Sequence, residues 1–363
     1  MLATGSSVLA NPMIYFLVAL VSALAALVAT PLARHLSFRF GIVAEPGGRR
    51  RHTGRIPKLG GLAIFIAWLA GIFLTYWLLP PANAADALRL RGVLLGSLVV
   101  VIGGLLDDRY DLPPGIQLLI QLAGALIAIL HIIFIEVFTN PLPSATLWEA
   151  LPLFRVEGDL VWLWRPLALL FTVFWVMGMI NAINFLDGLD GLAAGVCLIA
   201  SAFFAYHSYR LGQETVPLFP LALAGALLGF LPFNFSPARI FLGSAGAYFL
   251  GYQMATMSIL SPAKLSTALL VMAVPIIDVA WQIGSRIRRG QHPMRGDRGH
   301  LHFRLSDRGL PTTRIVLGYY AVAILFGLIA ILVASPLMKV AMLAGLAIGV
   351  FALLLRLSRR EGD

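Results

Sequence analysis

Asn181-Ala182-Ile183-Asn184-Phe185-Leu186-Asp187-Gly188-Leu189-Asp190-Gly191 sets two amides and two carboxylates between apolar runs at 165–183 and 191–210, each long enough to cross a bilayer. This juxtaposition decides the fold. A carboxylate in hydrocarbon costs about 2.5–3.5 kcal/mol on insertion scales, so this stretch predicts a functional site at the ends of membrane spans. The polar residues recur at every third position. At about 100° per residue, an unbroken helix would spread them over roughly half its circumference. Gly188 and Gly191 can leave helical φ/ψ, so a helix end here is expected to turn all four side chains toward one polar pocket.

Working outward, composition agrees. The 363 residues are 59% hydrophobic and 12% charged, which excludes an ordinary soluble domain. Apolar segments at 13–33, 59–79, 91–106, 116–135, 165–183, 191–210, 217–232, 243–260, 265–285, 313–334 and 337–356 predict an all-α polytopic membrane protein. That is about eleven transmembrane helices in a single domain over 1–363. The uncharged 13–33 run is too long for a signal-peptide core and has no basic flank before it, so it reads as a first span. Cys197 is the only cysteine, which excludes an internal disulfide or a cysteine metal cluster.

The net charge of +10 would suggest nucleic acid in a soluble chain, but the basic residues concentrate in loops between spans, and no nucleic-acid partner is expected. Lys and Arg divide 20 to 7 between the two faces, in favour of the face holding loops 34–58, 107–115, 184–191, 233–242 and 286–312. The positive-inside rule then puts the N-terminus outside and the C-terminus in the cytoplasm. The outer loop Glu136–Trp164, with Pro141, Pro143 and Pro152, has room for a hairpin.

This topology gathers every unusual polar cluster at the cytoplasmic face. Arg49–Gly61, with Arg51 and His52, is either a topology-fixing basic loop or a phosphate-capturing one. Asp107-Asp108-Arg109-Tyr110-Asp111-Leu112 is either a solvated turn before Pro113-Pro114 or an oxygen ligand set for Mg²⁺. In Asn234–Gly246, small residues open a helix and suit either an anion or close packing. The loop Arg286–Leu310 contains Asp297-Arg298-Gly299-His300-Leu301-His302. Histidines at i and i+2 do not share a helix face, so phosphate recognition is expected there in preference to zinc. Asp278 is expected to pair with an arginine or asparagine as a structural residue. Carboxylates beside basic loops at a membrane face suit transfer of a phosphate-linked group from a soluble reactant to a lipid.

With these motifs in place, the sequence resembles the polyprenyl-phosphate N-acetylhexosamine-1-phosphate transferases over nearly its whole length. DDxxDL appears at 107–112, NAxNxxDGxDGLA at 181–193, NFxPAxxFxG at 234–243 and DRxHxH at 297–302. The histidine loop is closer to the WecA-like branch than to the MraY-like branch. The resemblance implies a Mg²⁺-dependent enzyme, with Mn²⁺ an alternative, in the bacterial inner membrane. It would move a sugar 1-phosphate, expected to be N-acetylglucosamine 1-phosphate, from a UDP-N-acetylhexosamine to undecaprenyl phosphate, releasing UMP. A homodimer is a further expectation. By motif, Asp107, Asp108, Asp187 and Asp190 carry the catalytic centre. Asp107, Asp108, Asn184 and Asp187, with the position of Ser244, form the metal set. Arg51, His52, Asn181, Asn184, Arg298, His300 and His302 bind substrate. The family usually has GDxGS where this chain has Gly243-Ser244-Ala245-Gly246, and a hydroxyl is a weaker ligand for Mg²⁺ than a carboxylate. Rival readings are a transferase for another UDP-N-acetylhexosamine, and a homologue that binds lipid phosphate or nucleotide sugar with impaired turnover.

Overall fold

The computed structural model describes residues 12–45, 54–140, 153–157, 160–260, 262–290 and 299–359. Arg51, His52 and Arg298 lie outside the described residues. Helices α1 (Pro12–Arg39), α2 (Gly60–Leu78), α3 (Ala84–Tyr110), α4 (Pro114–Leu130), α5 (Arg165–Leu186), α6 (Leu192–Arg210), α7 (Leu218–Asn234) and α8 (Gly243–Ile259) form the first part of the bundle. They are followed by α9 (Pro262–Val271), α10 (Ala273–Arg288), α11 (Leu301–Asp307), α12 (Thr312–Leu332) and α13 (Pro336–Arg359). Seven helices are long and apolar enough to cross a membrane, or eight if the bent pair α9–α10 counts as one span. The chain is therefore an all-α, multi-pass membrane protein. Its outer surface has the matching character, since Phe73 and Trp77 on α2 are each 74% exposed. Such rings are at home against lipid.

The apolar run at 265–285 is broken in the structure. α9 and α10 meet at 73° around Met272. Pro275, in the first turn of α10, has no N–H to give and would crowd the carbonyl of Val271, which favours a break there.

α8 is the axis of the bundle. Nearly all of its residues are buried, and it packs against α2, α3, α5 and α9. A helix enclosed on all sides needs small contacts and internal partners for its polar groups. A Cβ on Gly61 would lie 2.0 Å from the Gly246 backbone, which shows how closely α2 approaches. Gln253 donates to Ser97 at 2.7 Å, Tyr252 to the Gly92 carbonyl at 2.9 Å, and Trp175 to Ser258 at 3.0 Å.

Two small sheets sit at opposite ends. β1 (Val43–Ala44) pairs antiparallel with β2 (Ile56–Pro57), with Val43 opposite Pro57. Between α4 and α5, β3 (Val137–Thr139), β4 (Phe154–Glu157) and β5 (Leu160–Leu163) form an antiparallel sheet in the order β3-β5-β4. The expected hairpin is its β4–β5 half, and β3 extends it.

Candidate active site

α3 carries the first acidic motif at its C-terminus, where Asp111 takes a left-handed conformation, φ 47°, and its N–H donates to the Asp107 carbonyl at 2.9 Å. Asp107 and Asp108 are neighbours about 100° apart on the helix, so they face different surroundings. Asp108 looks toward the start of α8, where Leu242 provides no side-chain cap. Its two oxygens accept from Ser244 N–H at 3.0 Å and Ala245 N–H at 3.1 Å. One carboxylate thus satisfies two of the orphan donors of a buried helix end. Gly243 makes this approach feasible. It sits at φ +74°, and a Cβ there would lie 2.6 Å from Asp108 Oδ2 and 2.3 Å from the Lys58 carbonyl. Asp107 turns the other way and accepts from Leu112 N–H at 3.0 Å, Gln117 Nε2 at 3.0 Å and Tyr248 OH at 3.4 Å.

The second motif ends α5. The helix runs through Leu186, and Asp187 is its C-cap, with its N–H donating to Ile183 O at 3.0 Å. Gly191, at φ +78°, starts α6. The expectation that all four polar side chains converge is corrected here. Asn184 and Asp187 line a common cavity. Asn181 lies deeper in the intact helix and donates to Gln121 on α4 at 2.6 Å. Asp190 lies beyond the helix end and accepts from Ala238 N–H at 3.0 Å, bracing the loop before α8. Gly188 is required for space and does not take a positive φ, since a Cβ there would meet His302 Nε2 at 2.2 Å.

The cavity has a volume of about 420 Å³ and is lined by Ala44, Glu45, Lys58, Asp108, Asp111, Asn184, Phe185, Asp187, Gly188, Gly243, Ser244, His300 and Phe303. Four separated segments therefore supply Asp108, Asn184 with Asp187, Ser244, and His300. Asp107, Asn181, Asp190 and His302 stand behind the lining. Glu45, Lys58, Asp111, Phe185 and Phe303 join the expected site residues in the lining; of these, Lys58 and Asp111 carry a sequence signal, as members of the polar clusters. Glu45 is ion-paired with Arg55 at 3.0 Å, both well exposed.

The histidine loop also departs from expectation. His300 is the N-cap of α11, with φ −64° and ψ 147°, so it lies outside the helix and the i, i+2 rule does not apply. Its ring stacks on Phe185 at 5.0 Å and on His302 at 5.8 Å. Asp278 pairs with this histidine, in place of the expected arginine or asparagine. His300 Nδ1 lies 2.8 Å from Asp278 Oδ2, and Leu301 N–H donates to Asp278 Oδ1 at 3.0 Å.

Among the described residues, no three His, Cys, Asp or Glu side chains are grouped closely enough to cage a metal ion. The donor set nevertheless suits Mg²⁺. The cavity offers the Asp108 and Asp187 carboxylates, the Asn184 amide and the Ser244 hydroxyl, all oxygen donors. Each Asp108 oxygen keeps a lone pair after its backbone bond. Mg²⁺ is usually held by one or two carboxylates together with substrate phosphates.

A polar, oxygen-rich cavity at the helix ends of a lipid-faced bundle defines the class: a membrane-embedded protein whose chemistry sits at one end of its spans. The comparisons sharpen this. The family model for glycosyl transferase family 4 matches residues 90–262. A probable undecaprenyl-phosphate N-acetylglucosaminyl 1-phosphate transferase of Bacillus subtilis is 31% identical, over 87% of this chain and 84% of its own length. The decaprenyl-phosphate N-acetylglucosaminephosphotransferase of Mycolicibacterium smegmatis is 34% identical, over 96% and 89%. A phospho-N-acetylmuramoyl-pentapeptide-transferase of Heliobacterium modesticaldum is 32% identical, over 85% and 92%. This chain belongs to the glycosyl transferase 4 family of polyprenyl-phosphate sugar 1-phosphate transferases.

Proposed function

We propose that this chain transfers N-acetylglucosamine 1-phosphate from UDP-N-acetylglucosamine to undecaprenyl phosphate, releasing UMP. The sugar follows the names of relatives aligned over most of both chains, and the undecaprenyl chain follows those of the Bacillus and Haemophilus relatives. The observation that carries the site is the convergence of Asp108, Asn184, Asp187, Ser244 and His300 on one cavity from four separate segments.

An oxygen of the lipid phosphate attacks the β-phosphorus of the nucleotide sugar. The bond from that phosphorus to the bridging oxygen breaks, and UMP leaves with the electron pair. A phosphate monoester is largely dianionic at neutral pH, its second pKa being about 6, so the attacking oxygen needs positioning more than deprotonation. Asp108 is held rigidly by the start of α8, Lys58 supplies positive charge, and His300 offers the Nε2 lone pair to a sugar hydroxyl. Mg²⁺, held by Asp108, Asn184 and Asp187 with Ser244 beside them, would neutralise phosphate charge as the bridging bond breaks. In this reading Asp107 and Asp190 act by holding the walls.

The cavity end faces the cytoplasm of a bacterial inner membrane in this reading, supported by the 20-to-7 division of basic residues. The 17-residue helices α4, α7 and α8 reach about 25 Å each. If all three also cross, this reading has eleven spans, against the seven or eight that length and composition alone support. The test is radiolabelled UDP-N-acetylglucosamine with undecaprenyl phosphate and purified protein, run beside a panel of other UDP-sugars. A lipid-linked product with this sugar is expected. Substrate binding with no UMP release from any sugar would contradict the proposal and favour a binding protein impaired by Ser244.

A further inference from the structure

α10 carries Asp278, Gln282 and Arg286 at four-residue spacing, which makes a buried polar stripe along one helix face. Burying such groups is costly unless each has a partner of matching chemistry. Two of them hold the histidine loop. Gln282 donates to the Gly299 carbonyl, and Asp278 takes both His300 Nδ1–H and Leu301 N–H. Asp278 and His300 are 4% and 3% exposed, so this pair is sealed from solvent.

The imidazole is fixed from several directions. Phe185 stacks on one side at an interplanar angle of 26°, and the His302 ring lies within 13° of parallel. A carboxylate can only accept, so Nδ1 carries the proton and the second ring nitrogen is left for other chemistry. That nitrogen, Nε2, is buried and has no hydrogen-bond partner among the described residues, while His300 itself lines the cavity. A buried polar atom at a cavity wall is a contact held ready for a ligand.

We propose that Asp278 is a positioning residue of the site, fixing His300 so that Nδ1–H is spent on the protein and the Nε2 lone pair is presented as an acceptor to a hydroxyl of the nucleotide sugar. The inference rests on the transferase reading for the identity of that ligand, and on side-chain geometry alone for the tautomer. Asparagine at 278 has one acceptor oxygen and cannot serve both Nδ1–H and Leu301 N–H. If its NH₂ faces Nδ1, the proton moves to Nε2 and the cavity meets a donor where it had an acceptor.

The experiment has two arms on the full chain in detergent. In the first, ¹⁵N-histidine-labelled protein without substrate is recorded at about pH 8.5, well above the ordinary imidazole pKa of about 6.5. The His300 signals are assigned by their loss in His300→Ala. The wild type is expected to be Nδ1-protonated, and Asp278→Asn to shift toward the Nε2-protonated form. In the second, kcat/KM for the nucleotide sugar should fall about 10- to 100-fold in Asp278→Asn, the scale of a misplaced contact group. Asp278→Asn/His300→Ala should lie within about 2-fold of His300→Ala alone. An Nε2-protonated wild type, a fully active Asp278→Asn, or losses that multiply in the double variant would each overturn the proposal. Should Asp278→Asn fail to fold, the wild-type spectrum still decides. A wild type with the expected tautomer but no turnover would overturn the transferase reading and leave the positioning geometry standing.

Discussion

The C-terminal end of α3 and the C-terminal end of α5 carry the two acidic motifs, and each divides its polar residues between two duties. In the α3 motif, Asp108 and Asp111 line the cavity while Asp107 ties the helix end to Leu112, Gln117 and Tyr248. In the α5 motif, Asn184 and Asp187 line the cavity while Asn181 binds α4 and Asp190 binds the loop before α8. The difference lies in what the lining residues do besides. Asp108 also caps α8 through two backbone N–H groups, so its position is tied to the bundle axis. Asp187 is the C-cap of α5 and stands where that helix stops. A motif of this kind is half site and half scaffold, and adjacency in sequence does not say which half a residue joins.

Substitutions can break or sharpen that division. The largest effect is expected for Asp108→Asn, because the amide loses charge at the cavity and offers a donor where two N–H groups already point. UMP release should fall at least about 100-fold. Next come Asp187→Asn and Asn184→Ala, at about 10- to 100-fold, with melting temperatures close to wild type. Ser244→Asp should sharpen the metal assignment. It adds a carboxylate beside Asp108, and a Mg²⁺ titration of activity should show half-maximal rate at about 10-fold lower metal. Asp107→Asn and Asp190→Ala should keep activity within about 10-fold of wild type while losing about 1–3 kcal/mol of stability from unpaired buried donors, read by thermal unfolding. Asn181→Ala should show the smallest effect, about 1 kcal/mol or less, as for other polar contacts between membrane helices.

Much of this was legible in the sequence for a physical reason. Apolar runs of membrane length can only be helices, and charged residues among them gather where spans end. Every predicted run contains a helix, with 265–285 divided at Met272 and 116–135 helical only to Leu130, and the clusters at 107–112, 181–191, 243–246 and 300–302 all touch or back the same cavity. What escaped was set by contacts across the chain. The break at Met272 looked like continuous apolar sequence, because Pro275 can stand in a first turn as readily as in a kink. The partner of Asp278 lies 22 residues on, across a loop, and no local spacing signals it. The sequence offers Gly188 as a conformational hinge, whereas in the fold its smallness admits His302. Asp107 and Asp108 have the same chemistry, and only the different partners that the fold brings to each separate them.

The most direct measurement is the ratio of UMP release rates between Asp107→Asn and Asp108→Asn, each corrected for folded protein, with UDP-N-acetylglucosamine, undecaprenyl phosphate and Mg²⁺. The account predicts wild-type release that requires both substrates, at least about 10% of it kept in Asp107→Asn, and about 1% or less in Asp108→Asn. Equal losses in the two variants, or a greater loss in Asp107→Asn, would contradict it.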